Sequence, residues 1–75
     1  MNAPADLRPV WVGREMYVVP RRARVVWPAD ERVAIVLFEG VVTILLETGE
    51  LEVPLDRQRQ MRTHYFPDQS HRLQT

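Results

Sequence analysis

ERVAIVLFEGVVTILLETGELEVPL, Glu31 to Leu55, is one third of the chain and holds most of its aliphatic side chains. Three readings compete for it: a membrane span, a helix, or a set of strands. The apolar run from Val33 to Leu46 is broken by Glu39 and Gly40. A spanning helix needs about 20 mostly apolar residues, so the run is too short to cross a bilayer. Acids follow Pro28 and a glycine stands at Gly40, which suits a helix over 28–39 and an α+β fold. Against this, Val33, Ile35 and Val36 are β-branched, and Val33 to Phe38 offers no polar face at helical spacing. The strand reading is preferred.

The last part of the stretch is the clearest. In ELEVPL, Glu50 and Glu52 alternate with Leu51, Val53 and Leu55, the pattern of a strand with one wet face, and Pro54 marks an edge or a strand end. The two preceding segments differ. RVAIVLF and VVTILLE, separated by Glu39-Gly40, are apolar on both parities. One face of such a sheet can meet the chain's own core. The other, carrying Val41, Thr43 and Leu45, calls for a second copy, a partner or a C-terminal helix folding back.

Working outward, WV before Gly13, EMYVV before Pro20 and ARVVW before Pro28 are further short runs rich in β-branched residues and closed by turn formers. The whole reads as mainly β, a small barrel or meander of about five to six short strands. Residues 1–9 and 67–75 have no periodicity and read as flexible tails around one domain over 10–66. In LDRQRQMRTHYF two outcomes stay open: a helix capped by Asp56, or a short link followed by a last strand with Met61, Thr63 and Tyr65 inward. The strand is favoured.

The order of features in VVTILLETGELEVPLDRQRQM, a strand, a tight turn at Thr48-Gly49, an alternating strand and a polar link, resembles a small SH3-like barrel of the Tudor or KOW type. The resemblance implies a non-catalytic reader of peptides or nucleic acid. The aromatic cage such readers use is not recognisable around the turn.

Composition limits the chemistry. A chain of 75 residues buries only about 60% of the surface it exposes when unfolded, and with no cysteine it has no disulfide to compensate. Self-association, with a dimer favoured, is the remaining means of stabilisation. The ten basic residues are all arginines and balance ten acids. Residues 1–28 and 57–75 are each net +3 and residues 29–56 net −6, so the ends complement the middle. A neutral total argues against sequence-blind nucleic-acid binding. His64 and His71 are too far apart for a helical metal pair, Glu47, Glu50 and Glu52 flank a solvated turn, and Ser70 has no orienting base. No metal, cofactor, small-molecule substrate or enzymatic activity is expected. The N-terminus has no apolar signal stretch, and a cytoplasmic location is expected.

Two arginine and aromatic clusters are the candidate partner sites: Arg21, Arg22, Arg24 and Trp27, and Arg57, Arg59, Arg62, His64 and Tyr65. Arginine and tyrosine dominate protein hot spots, and arginine beside an aromatic also suits phosphates and stacked bases. The sequence therefore points to a regulatory interaction module of a prokaryote or phage that binds a protein, with RNA or DNA as the alternative partner.

Overall fold

A computed structural model describes residues 6–68. Six strands and one helix follow one another: β1 (Leu7–Val12), β2 (Glu15–Pro20), β3 (Arg24–Val26), β4 (Val33–Phe38), β5 (Val41–Leu46), β6 (Gly49–Glu52) and α1 (Leu55–Tyr65). The strands form two antiparallel sheets, a β1–β2 hairpin and a four-stranded meander in the order β3-β4-β5-β6. The mainly β expectation holds, and so does the strand reading of the decisive stretch. The alternative helix over 28–39 is replaced by a loop and β4, where β-branched side chains fit a pleated surface better than a helical turn.

Turn chemistry sets the register. Val12 pairs with Glu15 across Gly13-Arg14, and Gly13 has φ 59°, the glycine-first arrangement that matches hairpin twist. Phe38 pairs with Val41 across Glu39-Gly40, with φ 51° and 82°, so both turn residues are left-handed. The third turn consists of Glu47-Thr48, because Gly49 already pairs with Leu46.

The central sheet is apolar on both sides, and the chain covers both. On one side Ala34, Val36 and Leu45 meet Val10, Val12, Val19 and Ala23 from the hairpin and the loop after it. On the other, Ile35, Leu37 and Val42 meet Phe66, with Met61, Tyr65 and Val53 packed around them. The face expected to need outside cover is thus the hairpin side. Leu45 is buried there within the single chain, Thr43 is half-buried, and Val41 is open at 56% exposure.

Two boundaries change. The first strand begins at Leu7, inside the segment read as a tail, because Leu7, Arg8 and Pro9 complete the ladder with Pro20, Val19 and Val18. Arg8 also donates to the carbonyls of Arg21 and Ala23, tying the hairpin to the loop after it. The favoured last strand is instead α1. Leu, Arg, Gln and Met are strong helix formers, Asp56 lies in the first turn, and Arg62 and His64 lie in the last, where each complements the helix dipole. Pro54, not Asp56, occupies the N-cap position. The C-terminal tail beyond Asp68, with Ser70 and His71, lies outside the described residues.

A side chain closes the joint between sheet and helix. Gln58 Oε1 accepts from the Val42 N–H at 2.8 Å, while its Nε2 donates to the carbonyls of Val42 (2.9 Å) and Val53 (3.2 Å). Chain leaving β6 for α1 would otherwise strand the Val42 peptide groups, and the amide satisfies both.

Candidate interaction surfaces

The first arginine cluster is dispersed by the fold. Arg21 turns to the base of the hairpin, with Nε 3.6 Å from Asp6 and Nη2 bonded to the Leu7 carbonyl. Arg24 belongs to β3 and is held by Asp68 at 2.7 Å, with its guanidinium 5.6 Å from the Phe66 ring centre. Arg22 is exposed. Trp27 is 44% exposed and its indole N–H donates to the Trp11 carbonyl at 3.3 Å.

The second cluster divides around α1. Arg62 donates to the Gly40 carbonyl and closes the β4–β5 turn onto the helix. Arg59 lies toward Asp56, Thr63 and Pro67. Arg57, His64 and Tyr65 do come together, along a groove of about 380 Å³ between α1 and β6 whose apolar wall includes Ile44, Leu51 and Met61. The His64 and Tyr65 rings meet edge to face at 4.6 Å.

On the opposite side of β6, Val41, Thr43 and Leu45 line a second groove of about 370 Å³ with Tyr17, Phe38 and Glu50. The residues proposed for self-association therefore border a cleft between the two sheets. The ion pairs Arg21–Asp6, Arg24–Asp68 and Arg32–Glu47 lie within a segment or join the two basic ends, so they do not express the complementarity between ends and middle.

A further apolar surface lies on the outer side of the hairpin. Val10, Val12 and Val19 face the core, so their neighbours face out. The register places Leu7 beside Pro20, Pro9 beside Val18 and Trp11 beside Met16 on that outer side. All six are apolar. Leu7, Trp11, Met16 and Val18 are 46, 58, 50 and 55% exposed, and Trp27 adjoins Trp11 along the strand edge. The signal was present in the sequence: LRPVWV and EMYVVP, like the middle strands, carry apolar residues on both parities.

Neither a family model, nor a curated protein, nor a solved structure matches this chain.

Proposed function

We propose that this chain is a small, non-catalytic, cytoplasmic interaction module that self-associates and binds a protein partner. One observation carries the reading: the outer face of the β1–β2 hairpin presents Leu7, Pro9, Trp11, Met16, Val18 and Pro20 with no polar residue among them. Their exposure leaves on the order of 500 Å² of contiguous apolar surface, within the range that marks interaction sites on small proteins. Two such faces in contact bury about 1,000 Å², the low end for a specific interface. A flat face of one chemistry is complementary to itself, so a second copy related by a two-fold axis is the natural occupant. Trp11 and Met16, opposite each other near the hairpin tip, supply the large adaptable contact area that interface centres use.

The arginines favour protein over nucleic acid as the partner. Arg8, Arg21, Arg24, Arg32 and Arg62 are engaged within the chain, and among the described residues this leaves Arg14, Arg22, Arg57 and Arg59, spread over the hairpin tip, a loop and the helix.

Light scattering across a concentration series tests the reading. The wild-type chain is expected to pass reversibly from monomer to dimer, and Val18→Glu to remain a monomer with unchanged far-ultraviolet circular dichroism. A wild-type monomer at every concentration, or a Val18→Glu dimer of undiminished strength, overturns the hairpin face as the interface. Tight binding of generic RNA or DNA at low salt, lost as salt rises, would transfer the argument to the arginines.

A further inference from the structure

We propose that β6 is a docking edge for an extended peptide strand of alternating basic, apolar and basic residues. The proposal rests on reading the chain as an interaction module, and it gives a chemistry to the partner at a sheet edge distinct from the outer face of the hairpin. β6 ends the four-stranded sheet and, among the described residues, pairs only with β5. Gln58 fixes which way its backbone points. Because Gln58 binds both peptide groups of Val42 on the side from which β6 departs, Val42 and, by alternation, Ile44 direct their N–H and C=O toward β6. Leu51, opposite Ile44, therefore uses its peptide groups on β5. Glu50 and Glu52 turn theirs outward, where they offer two donors and two acceptors to an added strand.

The side chains specify what such a strand must carry. Glu50 and Glu52 lie opposite Leu45 and Thr43, on the hairpin side of the sheet; Leu51 lies opposite Ile44, on the helix side. All three are exposed. A residue of the incoming strand beside Leu51 enters the groove walled by Ile44, Met61 and Tyr65. Its neighbours on either side fall next to Glu50 and Glu52, neither of which has an ion-pair partner among the described residues. Cross-strand pairing of opposite charges is favourable and of like charges unfavourable, so lysine or arginine belongs at those two positions. The same rule disfavours a second β6, which would set carboxylate against carboxylate. The occupant is accordingly a basic strand from another protein, added by main-chain pairing with one apolar anchor.

Fluorescence anisotropy with a labelled peptide alternating lysine with valine and leucine tests this. The expected result is saturable binding, weakened at least about tenfold by each of two changes: Glu50→Lys with Glu52→Lys in the protein, and N-methylation of the peptide backbone at constant charge. Equal binding of the N-methylated peptide overturns strand addition and leaves charge attraction alone. Equal binding to the doubly substituted protein overturns the assignment of Glu50 and Glu52, and absence of binding by wild type overturns the proposal outright. Because Glu50 and Glu52 are exposed, circular dichroism of the variant is expected to match wild type, and the N-methylated peptide needs no variant. Trp11→Glu, which alters the outer hairpin face and lies outside the groove that Glu50 shares with β2, is expected to bind the peptide normally, so failure of this site and failure of the hairpin interface are read separately.

Discussion

Gly13 is constrained twice. Its φ of 59° belongs to a region that L side chains rarely adopt, and a Cβ there would stand 2.0 Å from Glu47 Oε2. That carboxylate accepts from the Arg14 N–H at 3.0 Å and lies 3.9 Å from the Arg32 guanidinium, while the Gly13 N–H bonds to the Glu31 carbonyl. The hairpin tip is thus seated on the β5–β6 turn and the loop before β4. Gly13→Ala is expected to cost about 1–3 kcal/mol of stability, from backbone strain and from displacement of Glu47. Denaturant titration checks it. Combining it with Glu47→Ala should recover only the steric part, and full recovery would show that φ is not the constraint. In the sequence Gly13 was legible as a turn and Glu47 only as a solvated acid. The contact between them depends on a separation of more than thirty residues, which no local pattern encodes.

Among the elements, α1 was the hardest to read and has the clearest physical explanation. Met61, Thr63 and Tyr65 alternate as a strand would, yet Met61 and Tyr65 are also four apart, as a helix would have them. Composition decides the matter: 55–62 contains no β-branched residue, and residues of high helix propensity fill it. The cover also does not come mainly from the helix itself, which has no buried residue. It comes from Phe66, fully buried one position beyond the helix end, where periodicity gives no warning. Phe66→Ala is expected to cost about 3–5 kcal/mol, close to the whole stability of so small a domain. A near-native melting temperature for that variant would mean that α1 and its neighbours shield the sheet unaided. The strands were legible because β-branched runs, closing turns and period two agreed, and the double apolar faces of β4 and β5 were real.

For the molecule as a whole, the arithmetic of apolar surface comes out differently from the sequence expectation. The middle strands are met from within, one side by the hairpin and the other by the C-terminal segment. Unmet surface passes outward to the hairpin, whose doubly apolar strands are less conspicuous in the sequence because Arg8, Glu15 and two prolines interrupt them. Core and interface should therefore separate in experiment. Leu45→Asp places a charge at a site 4% exposed and is expected to unfold the chain, whereas Val18→Glu is expected to spare the fold. A folded Leu45→Asp protein that has merely lost its dimer would reverse this assignment. Among the described residues no helix is long and apolar enough to cross a membrane, as the sequence indicated.

The Gln58 amide has a dynamic corollary. The N–H of Val42 is protected by a group that belongs to the helix, not to a neighbouring strand. Its hydrogen–deuterium exchange must then follow the opening of α1 rather than the fraying of β6, so one slowly exchanging proton reports whether the C-terminal cover is closed.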